Sequence, residues 1–315
     1  MGREQYQPAN NYERNFMMVK RFGGKFSVLM LPILFFISIV CSCYLNVVNE
    51  PHIEVIIVRV ITSKLNFNMN LGGFETVFLL GKILLFGLCT YAILYIFFKS
   101  KNTSFQATPD LGYLMLYNLS IAELLTSALG FVTMFIMTIS FIFGKPEKFE
   151  SIGAVFFMTV ADLKAYKVSI IIIMILLDIL LFLMIWLSQS QADFMKSVRL
   201  SLVESVPKNK GAYTYGVFSM SVSVVLIGIA AFITFMYYCY QDAFSGLGIT
   251  MDKTYVYVSL VLAYVKGLIP FFLAICSFSY SAMVDQLNTM GAYMYNQYDV
   301  MGEAQDPNMY RNKGY

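Results

Sequence analysis

The sequence predicts an all-α, polytopic integral membrane bundle of about six transmembrane helices, with both ends in the cytoplasm. Three observations predict it: a shortage of charge, six long apolar windows, and a bias of basic residues toward one side. Of 315 residues, 58% are hydrophobic and only 13% charged, against about 25% charged in an ordinary soluble domain. With a mean hydropathy of +0.66, a water-soluble core would leave large apolar patches exposed, which soluble monomers avoid.

A helix needs ~20 apolar residues to cross ~30 Å of hydrocarbon, and the windows that satisfy this are 26–47, 74–98, 113–143, 168–187, 215–238 and 255–279. The third is long enough to tilt or to bend near Gly130. The fifth and sixth are flanked by tyrosines, whose amphipathic rings favour the interface. Arg14, Lys20, Arg21 and Lys25 precede the first window as they would a signal peptide. Its length and lack of a small-x-small cleavage site make it a retained anchor instead.

Placing the N-terminus inside puts those residues, Lys99, Lys101, Lys196, Arg199, Lys208, Lys210, Arg311 and Lys313 in the cytoplasm, as the positive-inside rule expects. Lys145, Lys148, Lys164 and Lys167 run against the bias. The chain therefore divides into a cytoplasmic N-terminal segment (1–25), a transmembrane domain (26–280) and a Tyr-rich cytoplasmic tail (281–315). The tail is too poor in apolar residues to fold alone and is expected to be disordered. Two outer stretches, 53–62 and 152–163, are long enough for local structure, the second with Ile152, Val155, Phe156 and Leu163 near one helical face. An ordered connecting loop is the simpler reading of both.

Four ionisable residues fall inside spans: Lys82, Glu123, Asp178 and Lys266. Each costs about 2.5 to 3.5 kcal/mol at the centre of an isolated membrane helix, so such residues turn inward, find partners and often mark a pathway. At ~1.5 Å per residue, Asp178 and Lys266 both lie roughly 15 to 17 Å from the outer ends of their spans. They are thus placed to pair, and all four to form one midplane network. Pro270 frees the carbonyl of Lys266 and, with Gly267 beside it, predicts a kink in the last span. A bent helix beside a buried cation is one way to build an ion or substrate site. A structural ion-pair network that fixes helix register is the competing reading. Gly216, Ser219, Ser223, Gly228 and Ala231 in the fifth span mark close helix packing.

The run Asn118-Leu-Ser-Ile-Ala-Glu-Leu-Leu, with Thr108-Pro109 ahead of it, resembles the second helix of rhodopsin-like G-protein-coupled receptors, and the resemblance would make Glu123 the counterpart of that family's sodium-site acid. It covers about fifteen residues. The preceding helix carries Gly81-Lys82 where the family has Gly-Asn, no DRY, CWxP or NPxxY follows, and the spans number six. The chain is not assigned to that family.

The five cysteines, Cys41, Cys43, Cys89, Cys239 and Cys276, lack zinc or redox spacing. Cys43 and Cys239 fall near the same membrane face, where a disulfide is one alternative. His52 is the only histidine, which excludes histidine-box and HExxH enzymes. Walker A, GxGxxG and GxSxG patterns are absent, and no basic block suggests nucleic acid. Tyr280-Ser-Ala-Met and Tyr298-Asp-Val-Met fit the short YxxΦ sorting pattern, with Tyr298 also a phosphorylation candidate. The expectation is a non-enzymatic membrane protein without metal or cofactor, in contact with the lipid bilayer and with protein subunits as candidate partners, the cell membrane being favoured. A small-solute or ion transporter or permease component is narrowly preferred. A membrane organiser or assembly and trafficking subunit is the first alternative and a divergent receptor the second.

Overall fold

The computed structural model describes residues 11–47, 72–102, 107–145, 149, 160–204, 206–239 and 253–304. Among them the elements are α1 (Asn11–Gly23), α2 (Phe26–Val47), α3 (Gly72–Lys101), α4 (Asp110–Phe143), α5 (Val160–Ala165), α6 (Lys167–Val203), α7 (Ala212–Cys239) and α8 (Lys253–Ala304), with no strand. Six of these helices are long and apolar enough to cross a membrane, and each contains one of the windows read from the sequence. The chain is a multi-pass membrane protein. The third span is one continuous helix through Gly130. The stretch 53–62 lies outside the described residues, as does 152–159.

The long helices form a closed ring in chain order, α2 against α3, α3 against α4, α4 against α6, α6 against α7, α7 against α8, and α8 back against α2. Two cores sit at opposite ends. At the distal end, Leu45 of α2 and Ile233 of α7 close on Tyr255, Val256, Leu260 and Leu262 of α8. The larger core lies at the end where α1 packs.

Helix length explains that larger core. At ~1.5 Å per residue α6 runs to about 55 Å and α8 to about 78 Å, well beyond the ~30 Å of hydrocarbon. The surplus at the α1 end needs cover, and α1 supplies it. Phe16, Val19 and Phe22 recur every three residues along α1, all three buried, against Phe194, Val198 and Leu202 of α6 and Tyr280, Val284 and Leu287 of α8. Gly23 ends α1 where a Cβ would collide with Ser100 and Ile96 of α3. Residues 11–23 are thus part of the fold.

The tail corrects an expectation. Instead of disorder from residue 281, α8 continues to Ala304. Tyr280, Met283, Val284 and Leu287 stand at i, i+3, i+4 and i+7 and are all buried, one apolar stripe that anchors the extension. Residues 305–315 lie outside the described residues. Tyr280 is 0% exposed, so its YxxΦ motif is closed to an adaptor. Its hydroxyl donates to the Lys208 carbonyl at 2.8 Å and meets Ser201 Oγ at 2.9 Å. Tyr298 belongs to the helical extension.

The cysteines bring a second correction. Cys43 and Cys239 are both free, because α8 packs against α2 on one side and α7 on the other and so stands between the two helices that carry them.

The α7/α8 crossing is a close one. A Cβ on Gly267 would lie 2.6 Å from Ile227 Cγ1 and 3.1 Å from its backbone nitrogen, so only glycine permits this approach. Ser223, one turn before Ile227, donates to the Gly267 carbonyl at 2.8 Å, next to the Lys266 carbonyl that Pro270 frees. α8 continues unbroken through Pro270.

Two outcomes follow from this packing. Gly267→Ala is expected to cost about 1 to 3 kcal/mol by overpacking, whereas Gly228→Ala, whose Cβ would meet nothing within 4 Å, leaves the thermal midpoint in detergent unchanged. Tyr280→Phe keeps the ring but leaves the Lys208 carbonyl with only the longer contact to Ser201 Oγ, 3.4 Å, for a loss of about 1 kcal/mol. An unaltered midpoint in Tyr280→Phe would show that the hydroxyl carries no weight.

Candidate functional site

The intramembrane charges do not converge. Among the described residues no ion pair directly joins any two of Lys82, Glu123, Asp178 and Lys266. The ring is the reason. Lys82 sits on α3 and faces α2, Asp178 on α6 faces α4, and Lys266 on α8 adjoins the Gly267 crossing with α7.

Lys82 is half-buried. Its ammonium donates to Ser42 Oγ at 2.6 Å and approaches the Ser38 carbonyl at 3.4 Å, while Ser42 Oγ donates to that same carbonyl at 2.7 Å. Phe86, one turn on, lies 5.6 Å below the ammonium and packs on Phe35 of α2 with centroids 4.7 Å apart. Among the described residues the charge meets a hydroxyl, a carbonyl and a ring.

Asp178 is 7% exposed. Its Oδ2 lies 2.7 Å from Thr138 Oγ1 of α4, and its Oδ1 is buried with no hydrogen-bond partner. It stands on the one stripe of α6 that faces α4. Around it Leu177, Ile179 and Leu180 point outward, into lipid.

Glu123 is half-buried where the α4/α6 pair joins the other helices. It faces the buried Ser188 hydroxyl of α6, with Tyr215 of α7 and Cys89 of α3 within its electrostatic reach. Distal to it, α4 and α6 bury little beyond the seam they share, which Thr138, Phe141 and Asp178 mark. Leu125, Leu129, Val132, Leu176 and Leu180 remain exposed. The pair stands off from its neighbours as a hairpin.

The ends of that hairpin are fixed by local chemistry. Pro109 precedes α4, where its missing N–H costs nothing, and Asp110 in the first turn pairs with Arg199 of α6 at 2.8 Å. At the other end Lys167 donates to the carbonyls of Ile142 and Gly144 at 3.2 and 3.4 Å, where a cation complements a helix C-terminus. Lys167 ran against the basic bias and here has a local role.

The loop 204–211 is held by a second polar set at the α1 end. Ser201 Oγ accepts from the Lys208 N–H at 2.8 Å, Ser197 Oγ accepts from Lys210 N–H at 3.1 Å, and Asn209 donates to Ser281 Oγ at 2.8 Å. Ser277 donates to the Ala212 carbonyl. Gly211, at φ +80, turns where a Cβ would meet Asp193 and the Ser190 carbonyl at 2.8 Å.

The arrangement can anchor charge and fix helix neighbours. Among the described residues no group of three His, Cys, Asp or Glu gathers as a metal site would, and two shallow hollows, of about 420 and 330 Å³, open on the outer flanks of α7/α8 and α6. Sequence reasoning named the charged residues but missed their partners Ser38, Ser42 and Thr138. The i, i+4 spacing of Ser38 and Ser42 was the only available signal. Comparison with protein-family models, curated proteins and solved structures finds no match to this chain.

The Lys82 contact is testable alone. Ser42→Ala is expected to destabilise the protein by about 1 to 2 kcal/mol, since it removes a hydrogen bond to a charged donor. Lys82→Met in that background restores most of the loss. If Lys82→Met is instead as damaging in Ser42→Ala as in wild type, as a double-mutant cycle of thermal midpoints would report, the two side chains are not coupled.

Proposed function

We propose that the protein is a non-catalytic membrane organiser or assembly subunit, in which the intramembrane charges set helix register instead of lining a path. The observation that carries this reading is that Lys82 and Asp178 each meet a hydroxyl on the adjacent helix of the ring, at 2.6 and 2.7 Å, with no common route between them. Buried polar contacts of this kind specify which helix sits beside which. The exposed flanks of the α4/α6 hairpin offer helical surface to a protein subunit. The basic bias favours a cell membrane with both termini in the cytoplasm.

A specific observation favours one second reading, a proton- or ion-coupled carrier. Glu123 sits beside the buried Ser188 hydroxyl of α6, with Tyr215 of α7 and Cys89 of α3 in electrostatic reach, which is where a translocated cation would be met.

Purified protein in sealed vesicles loaded with a pH-sensitive dye separates the two. Under an imposed potential, proton flux is expected to equal that of protein-free vesicles, and Glu123→Gln is expected to change nothing. Flux that appears with the wild type and is abolished by Glu123→Gln overturns the organiser reading and establishes the carrier.

A further inference from the structure

We propose that the turn joining α1 to α2 and the last turn of α3 together seat the headgroup of an anionic phospholipid, with Arg21, Lys25, Lys99 and Lys101 as its cations.

The cations at the α1 end fall into two groups. Arg199, Lys208 and Lys210 each have a carboxylate within ion-pair reach, on Asp110, Glu204 and Asp193 respectively. Arg21, Lys25, Lys99 and Lys101 have none among the described residues. Lys25, Lys99 and Lys101 instead lie over Phe22, Tyr95 and Phe97, three or four residues earlier in the chain, at 5.5 to 5.7 Å from the ring centroids. Such a ring positions an ammonium and leaves its N–H donors open to an oxygen ligand. Arg21, Lys25 and Lys101 are exposed and Lys99 is half-buried, so all four can be reached from outside.

The backbone gathers these charges. Gly24 lets the α1/α2 turn rest on α3: a Cβ there would stand 3.6 Å from both Lys101 Cε and Ser100 Cβ, and 3.5 Å from the Arg21 carbonyl. Lys101 therefore lies against the same turn that carries Arg21 and Lys25. Lys99 and Lys101 also complement the C-terminus of α3, but Lys25 stands at the start of α2, the end at which a helix dipole disfavours a cation. The helices alone do not account for its charge.

The position of the cluster identifies its ligand. Lys25 is followed by Phe26, the first residue of α2, and Lys99 is preceded by Phe98; both rings are exposed, at 70% and 66%. On two adjoining helices the chain thus passes from exposed ring to charge at one level, which is the boundary where lipid phosphates lie. A phospholipid meets both halves of this surface, its phosphate at the cations and its acyl chains at Phe26 and Phe98. A soluble anion meets only the first. The inference holds whether the protein organises other subunits or carries ions.

Native mass spectrometry of the delipidated full-length protein, titrated with phosphatidylglycerol or phosphatidylcholine, tests it. Wild type is expected to bind phosphatidylglycerol the more tightly. The triple variant Lys25→Gln, Lys99→Gln, Lys101→Gln is expected to lose that preference, by about fivefold in affinity for each lysine removed, while the corresponding triple arginine variant keeps it. Equal binding of the two lipids by wild type overturns the proposal, as does a preference that survives in the triple glutamine variant. Inorganic phosphate is expected to displace no lipid; displacement at matched concentration would make the ligand a free anion and overturn the assignment to lipid. Should the triple glutamine variant fail to fold, Lys25→Gln alone, at an exposed position, decides: an unchanged preference in it overturns the seat.

Discussion

Inside hydrocarbon no hydrophobic force presses one helix onto another, because lipid tails are as apolar as leucine. Everything in the membrane part of this chain follows from that constraint. Its helices are held together by what lipid cannot supply: close backbone approach at Gly267, a serine reaching the Gly267 carbonyl, a lysine on Ser42, and an aspartate on Thr138. At the α1 end the helices outrun the bilayer and the ordinary rule returns. There Phe16, Val19 and Phe22 bury against α6 and α8 in the manner of a small water-soluble core, at roughly 25 cal/mol per Å² of apolar surface removed from water. The two regimes divide the labour: the α1-end core buries apolar surface from water, and the polar contacts choose the neighbours.

That division accounts for the behaviour of the α4/α6 hairpin. Near the α1 end it is bound to the ring through Gly112 against Ala92 and Ile96 of α3, through Trp186 on Phe218 and through Phe194 on Tyr215 of α7. Farther along it has only its own seam. Along that seam Phe131 meets Phe182 and Thr138 meets Asp178, while the leucines on its flanks face lipid at no cost. Glu123 marks the point where one arrangement gives way to the other.

How much of this was legible in the sequence depends on which force was acting. The six spans were legible because a run of ~20 apolar residues has few other uses, and all six fall within helices. The charged residues were equally plain as oddities. Their partners were not, because in a membrane every helix is apolar on most faces and hydrophobic pattern no longer tells which face meets which helix. Lys82 and Asp178 were read toward other charges, as charge alone suggests. Among the described residues they meet Ser42 and Thr138, residues that look like any other hydroxyls in a span. The tail failed for a different reason. Its composition, averaged over 281–315, is polar, but the stripe Tyr280, Met283, Val284 and Leu287 occupies its first two turns and has α1 to pack against. The N-terminal segment, read as a basic flank, hid the three-residue recurrence of Phe16, Val19 and Phe22 that makes the pairing work.

The polar contacts also explain why costly residues persist in the spans. A helix pair held by leucines alone can slide by one turn, about 5.4 Å, and meet much the same surface again. The α2/α3 pair cannot. One turn of slip carries the Lys82 ammonium away from Ser42 and Ser38 and removes Phe86 from Phe35, leaving a cation in hydrocarbon, a penalty of about 2.5 to 3.5 kcal/mol on insertion scales. The same slip between α4 and α6 strips Asp178 of its one partner. Each contact adds little when the register is right and costs much when it is wrong. A bundle with so weak a drive to associate needs that asymmetry in order to adopt one arrangement of its six helices and not several.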